Sequence, residues 1–355
     1  MNQQQQATLK AAVIGCGVAA TWRHVPSLLN VPQVELVAVC DVDRVRANDV
    51  ARRFGISSFY DDASEMLREA SPDIVHVLTN PESHLELSIL AMEAGCSVLI
   101  EKPFVYSVAE ADKIIAKAEE TGTRFTVIQD DAFTPAVAAL KRRIATGEIG
   151  KVVSVQFLAG SPYQSSKAQG WYFETYGGRM GETLPHALCL LADLLAGLEV
   201  VHVDGRQLGH WRRPDDGQQK PHGVDELHVL LNSSSDNAVG IISQSLNREM
   251  GVSLLVCGTE GNLVAFLPDE VAAFPPLKLG LGDAVDVGRN VSDQVLRKLR
   301  LRRGPPAGRT LVNSGHYRQI KDFVEGVRDG REFPVNHARA RECVALWEQI
   351  VGSFS

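Results

Sequence analysis

The chain has 355 residues, more than one hydrophobic core usually organises, so two domains are expected. Hydrophobic residues at 45% and charged residues at 22% fit an ordinary globular protein rather than a disordered one. The net charge of -7, from 36 Lys plus Arg against 43 Asp plus Glu, argues against a nucleic-acid partner, because phosphate binding needs clustered base.

Residues 1–8, with four glutamines, read as a disordered lead-in. One Lys followed by small apolar residues resembles a weak signal peptide, but glycines break the stretch and it runs straight into a strand and turn. From residue 9 to about 130 strand and helix signals alternate. The strand runs at 10–14, 34–39, 74–78, 98–100 and 125–128 are short, aliphatic and apolar on both faces, as in a parallel sheet covered by helices. Between them Ser107-x-x-Glu110 reads as a capping box closed by Gly122, and Asp62-x-x-Glu65 opens a shorter helix. Residues 82–94 carry Leu85, Ile89, Leu90 and Met92 at near-helical spacing before Gly95. Repeated βα units predict an α/β fold with an N-terminal doubly wound Rossmann domain over 1–130.

Beyond residue 130 the rhythm changes. A helix is expected at 135–144, a strand at 152–158, a glycine- and aromatic-rich loop at 160–178, and an apolar helix from Pro185 to Leu195. Strands follow at 227–231, 238–243 and 252–257, with a polar turn at 232–237. A loop-rich stretch covers 267–314. Two closing helices place Tyr317, Ile320, Phe323, Val324 and Val327 on one face, then Val344, Trp347, Ile350 and Val351. Residues 131–355 thus read as a C-terminal α+β domain with an open, mainly antiparallel sheet. No run is apolar enough to span a bilayer, since 184–203 is interrupted by His186, Asp193 and Glu199. The basic run 297–303 reads as a solvated or subunit-facing segment. Six dispersed cysteines without a Cys-x-x-Cys pair suggest neither disulfides nor zinc, and fit a reducing cytoplasm. His210, His222 and His228 show no metal-ligand spacing, so no metal is expected.

The first strand ends in Gly15-Cys16-Gly17-Val18-Ala19-Ala20, a G-x-G-x-x-A turn. Gly15 permits the tight turn, Gly17 lets backbone approach a pyrophosphate, and Ala20 allows close helix packing. The following helix aims its first N–H groups, at Val18 and Ala19, toward the phosphates. Asp41 ends the second strand, where a carboxylate accepts both ribose hydroxyls of NAD and repels the 2′-phosphate of NADP. Arg44 is a candidate partner for that phosphate and leaves NADP open, but the Asp41 carboxylate favours NAD. Tyr163, Trp171, Tyr172 and Tyr176 crowd the loop before the apolar helix, as sugar-stacking residues or as core and interface.

The run Val77-Leu78-Thr79-Asn80-Pro81-Glu82-Ser83-His84, then Glu86, Ala94-Gly95 and Glu101-Lys102-Pro103, resembles the Gfo/Idh/MocA oxidoreductases. So do Gly177-Gly178 before an acid and a histidine, and the late Ile320-x-x-Phe323 helix. The resemblance implies a nicotinamide cofactor, a sugar, cyclitol or similar polyol as substrate, and a homodimer or homotetramer built through the C-terminal sheet. It makes Lys102 the active-site lysine, followed by a cis peptide at Pro103. Thr79, Asn80, Pro81, His84 and Glu101 then line the ribose and nicotinamide, and His186 is the acid–base histidine. Glu182 stands where relatives carry Asp, and Leu184 where they carry Gly, which leaves substrate identity and redox competence open. Pro185 suits a first helical turn, which would put His186 at a positive helix end that disfavours imidazolium and leave Glu182 ahead of the helix. A redox-neutral lyase or glycosidase and a non-catalytic NAD-binding regulator are the competing readings.

Overall fold

A computed structural model describes residues 8–160, 175–208, 223–274 and 314–354. Tyr163, Trp171, Tyr172, His210, His222 and the basic run 297–303 lie outside them.

The first sheet is wholly parallel, in the order β3-β2-β1-β4-β5-β6. Its strands are β1 (Leu9–Ile14), β2 (Val34–Cys40), β3 (Ser58–Tyr60), β4 (Ile74–Val77), β5 (Ser97–Ile100) and β6 (Phe125–Val127). This is the Rossmann order, reversing beside β1, where ligands of such sheets bind. All but β3 stand within a residue or two of their expected places. The half-buried Ser58-Phe59-Tyr60 is too short and mixed for a pattern to reveal. The helices are α1 (Val25–Leu28), α2 (Arg44–Phe54), α3 (Ala63–Ala70), α4 (His84–Glu93) and α5 (Val108–Thr121). The caps act as read: the Asp62 carboxylate accepts the Glu65 N–H at 2.7 Å, and the Ser107 hydroxyl that of Glu110 at 3.2 Å.

The second sheet runs β13-β12-β11-β7-β10-β9-β8 and is antiparallel except for the β7–β10 pair. It comprises β7 (Val152–Gly160), β8 (Leu198–Arg206), β9 (Glu226–Ser233), β10 (Ala238–Ser245), β11 (Gly251–Gly258), β12 (Asn262–Phe266) and β13 (Glu270–Phe274). β13 falls inside the stretch expected to be loop. Helices α6 (Pro135–Ala145), α7 (Gly178–Leu194) and α9 (His337–Gly352) pack on one face of this sheet. No described helix is long and apolar enough to cross a membrane.

Two features depart from the local reading. Tyr317, Ile320, Phe323 and Val324 of α8 (Gly315–Asp329) pack with Val13, Leu28 and Ile74 in the Rossmann core. A helix expected in the second domain therefore completes the first. In addition, α7 begins at Gly178 and continues through Pro185, which is buried inside it rather than at its start. A helical proline has no N–H for the carbonyl one turn back. That carbonyl, of Gly181, instead accepts the Trp347 indole N–H of α9 at 2.7 Å. The freed acceptor is satisfied across the core, so the helix need not break.

Candidate functional site

A cleft of about 1170 Å³ runs along the carboxyl ends of the Rossmann strands and is faced by α7 and α8. At one end lies the glycine turn. Gly15 has φ +96°, and a Cβ there would stand 2.8 Å from the Leu78 carbonyl carbon. A Cβ on Gly17 would meet nothing within 4 Å, and Gly17 lines the cleft. These two glycines thus have different tasks: one fits the chain against β4, the other leaves room for a ligand. Val18 and Ala19 line the same end, at the start of helical turns over 18–28.

Asp41, 7% exposed, is fixed there by three donors. The Cys16 N–H reaches its Oδ2 at 2.8 Å, the Asp43 N–H its Oδ1 at 2.9 Å, and Arg46 Nη1 its Oδ1 at 3.2 Å. The guanidinium beside Asp41 is therefore Arg46. Arg44, expected as the candidate, is instead paired with Asp61 at 2.9 Å and lies over the Phe59 ring. An α2 side chain three residues past Asp41 leans toward β3, whereas one five residues past comes back over the strand end.

Thr79, Asn80, Pro81, Glu101 and Lys102 all line the cleft. His84 does not reach it. Fully buried, its Nδ1 is 2.9 Å from the Phe104 carbonyl and its Nε2 3.0 Å from that of Thr79. It packs in the core between the two loops that carry Thr79 and Lys102, its neutral ring able to donate to one carbonyl at a time, rather than meeting a ligand. The Lys102–Pro103 peptide is cis, as the resemblance implies.

Glu101 anchors a buried chain that sequence spacing did not reveal. Its Oε1 is 3.2 Å from His24 Nε2, and its Oε2 accepts the Lys102 N–H at 2.8 Å. His24 Nδ1 is 3.0 Å from His76 Nδ1. Burial pushes the Glu101 carboxyl up, but the His24 hydrogen bond and the nearby Lys102 charge outweigh it and hold it down to about 2. Burial lowers both imidazoles, His76 most strongly, so both are neutral. His24 then donates from Nε2 to Glu101 and accepts at Nδ1 from His76. This leaves His76 Nε2 a buried lone pair with no hydrogen-bond partner among the described residues. A wide turn over Ala20–His24 delivers His24 to this place.

Lys102 Nζ pairs with Glu182 Oε1, while Glu182 Oε2 accepts from Arg179 Nη1 at 2.8 Å. Because α7 runs unbroken, Glu182 and His186 do stand one turn apart on it. His186 is consequently in mid-helix, away from any positive helix end. Its Nδ1 lies 3.1 Å from Asp131 Oδ2 and 3.9 Å from Asp130 Oδ1, and Asp130 Oδ2 lies 2.9 Å from His316 Nδ1. Burial lowers the His186 pKa, but the Asp131 carboxylate outweighs it and the net shift is upward. This is the reverse of the expected dipole effect. Leu184 is fully buried, so it occupies core and not the cleft. Tyr176 lines the cleft beside Arg179.

Asp130, Asp131 and His316 were not singled out from the sequence. Only the fold brings them under α7. The ligand atoms of Asp130, Asp131 and His186, and those of His24, Glu101 and His316, fall within 4.8 Å of one another. Members of each set also pair with one another, and the Lys102 ammonium lies beside both.

Residues 9–129 match the family described as the GFO/IDH/MocA oxidoreductase family, NAD-binding Rossmann fold, and residues 137–264 match the GFO/IDH/MocA C-terminal domain. Among curated relatives, D-apiose dehydrogenase of Paraburkholderia graminis is 34% identical over 40% of this chain and 37% of its own length. The scyllo-inositol 2-dehydrogenase (NAD(+)) of Bacillus subtilis is 30% identical over 72% of this chain and 73% of its own. A solved oxidoreductase from Agrobacterium radiobacter, in complex with NAD+, L-tartaric acid and magnesium, superposes with TM-score 0.78 at 20% identity. It covers 98% of this chain and 96% of that one, which establishes a shared fold. These matches, with the glycine turn and Asp41 where a Rossmann fold needs them, mean that the chain belongs to the Gfo/Idh/MocA family of NAD-dependent oxidoreductases.

Proposed function

We propose that the protein transfers a hydride to or from a carbinol carbon of a sugar, cyclitol or related polyol. The observation carrying this reading is that Lys102 and His186, from opposite walls, line the same cleft as Gly17 and Asp41. Residues 15–19 would hold the pyrophosphate and Asp41 the ribose, and bound NAD supplies the hydride acceptor. Neutral His186 accepts the hydroxyl proton as the hydride leaves, help typically worth about 10²–10⁴-fold. The Lys102 ammonium donates to the oxygen as negative charge develops on it. Glu182, itself held by Arg179 through its other oxygen, keeps that ammonium in place. Carboxylates outnumber fixed cations around the reacting end, which favours a neutral polyol over an acid. The names of the sugar and cyclitol dehydrogenases that it resembles point to the same class.

One observation favours a second reading. His316 with Asp130 is a further imidazole–carboxylate pair in the cleft, suited to taking a C–H proton made acidic by transient oxidation. Elimination would follow and the cofactor would be restored. The experiment is a panel of sugars, cyclitols and nucleotide sugars with NAD+ and NADP+, followed at the reduced-nicotinamide band and by product analysis. A dehydrogenase accumulates NADH with NAD+ in preference to NADP+, whereas the redox-neutral route makes product without it. Tight NAD+ binding with neither outcome, and biological function surviving Lys102→Ala, would leave only a non-catalytic NAD-binding regulator.

We also assign self-association to the sheet face opposite the helices, where Leu230 and Val239 are exposed on neighbouring strands. Leu230→Lys with Val239→Lys should shift light-scattering mass to the monomer, and an unchanged mass excludes that face. The six free cysteines suit a reducing cytoplasm.

A further inference from the structure

The acid one turn before His186 is the obvious partner for its imidazole, yet Glu182 is already committed. One of its oxygens is on the Lys102 ammonium and the other on the Arg179 guanidinium. The Nδ1 nitrogen of His186 is buried and, as the ring stands, makes no aligned hydrogen bond to a described residue, so the carboxylate nearest to it decides where its proton goes. Its nearest carboxylate oxygen is Asp131 Oδ2 at 3.1 Å, from the turn after β6. Asp130 is more distant at 3.9 Å, and its other oxygen is bound to His316. The three acids around the reacting end therefore have separate tasks.

We propose that Asp131 is the positioning residue for His186, holding the proton of the neutral ring on Nδ1 so that Nε2 is the acceptor presented to substrate. The carboxylate does from the Rossmann side what Glu182, on the histidine's own helix, is not free to do. Fixing the tautomer and stabilising the imidazolium are what an orienting carboxylate contributes to a histidine base. This rests on His186 being the proton-handling residue. The charged groups facing the ring are Asp131 and Asp130 from the turn, Lys102 from the loop after β5, and Glu182 from its own helix. Of these, Lys102 opposes the imidazolium, and the carboxylate in contact outweighs it.

The test is an NMR titration of the histidine side chains in the full-length chain with NAD+ bound, His186 being assigned by the signal lost in His186→Asn. In Asp131→Asn the His186 midpoint should fall by about one pH unit, equal to about tenfold weaker proton binding. The ring nitrogen shifts should also lose the strict Nδ1–H tautomer pattern, and Asp131→Glu should restore part of both. Glu182→Gln should move the midpoint much less. An Asp131→Asn protein that titrates like the parent, or a Glu182→Gln shift as large as that of Asp131→Asn, overturns the assignment. Failure of the underlying reading is a separate event: His186→Asn would turn over a panel substrate at the parental rate whatever the titration shows.

Discussion

At the cofactor end of the cleft the contacts are local and made by backbone. Gly15, Cys16 and Asp41 lie in the first two βα units, and Asp41 is held by the N–H groups of Cys16 and Asp43. At the reacting end Lys102, Asp131, Glu182 and His186 arrive from three separate stretches and meet only through side chains. A backbone cradle tolerates few residue types, because it depends on positive φ and absent Cβ atoms. A side-chain cluster can exchange partners, here with Glu182 on lysine and Asp131 on histidine, and still present an acid–base group. Relatives can thus share the first end closely while the second diverges with substrate.

The largest expected effect separates the two ends. Lys102→Ala should lower kcat/KM for a panel substrate by about 10²–10³-fold, as when one donor to a developing oxyanion is removed. NAD+ affinity measured by calorimetry should change little. An equal loss in affinity and turnover would show that the lysine serves only the cofactor.

The glycine pair divides the cofactor end itself. Gly17→Val should weaken NAD+ binding by about tenfold or more, or ~1.4 kcal/mol, with an unchanged melting temperature. Gly15→Ala should instead destabilise the fold, by about 1–3 kcal/mol from backbone strain alone, before any clash with Leu78. If both variants lose only affinity, the proposed division of tasks is wrong.

A smaller effect tests why the reacting end is built as it is. Trp347→Phe orphans the Gly181 carbonyl that Pro185 cannot serve, and should cost about 1–3 kcal/mol in denaturant unfolding. In a Pro185→Ala background, where a helical N–H is restored, the same substitution should cost less.

The last effect concerns the buried Glu101 relay and appears only in acid. The folded-state pKa of Glu101 lies below its ordinary 4.5, near 2. Its ionisation therefore contributes stability that is fully present above pH 4.5 and is lost as pH falls toward 2. The stability difference between the parent and Glu101→Gln should be constant above that range and shrink below it. A difference that is flat down to pH 2 would mean that the carboxylate is not held ionised by His24 and Lys102.

The same contrast governs what could be read from the chain alone. The Rossmann strands, the Gly15–Ala20 turn, Asp41 and Glu101-Lys102-Pro103 are short, contiguous signals, and they were legible. The start of α7 was not, because Pro185 looks like a first-turn residue unless Trp347, far along the chain, is known to supply the missing donor. The pairing of His186 with Asp131 was hidden for the same reason, since it depends on how α7 lies over the end of β6. His84 misled in the opposite way. It has the right place in a motif, but both ring nitrogens are turned to backbone carbonyls in the core. β3, β8, β12 and β13 were missed: β3 and β13 are short strands of mixed character that carry no period, and β8 is mostly exposed, with charged residues among its valines.

The most direct measurement is a crystal structure of the full-length protein with NAD+. The account predicts the pyrophosphate against the backbone of residues 15–19, a ribose hydroxyl pair on Asp41, and the nicotinamide between Lys102 and His186. A dinucleotide bound away from the glycine turn, or one whose nicotinamide lies out of reach of both side chains, would contradict it.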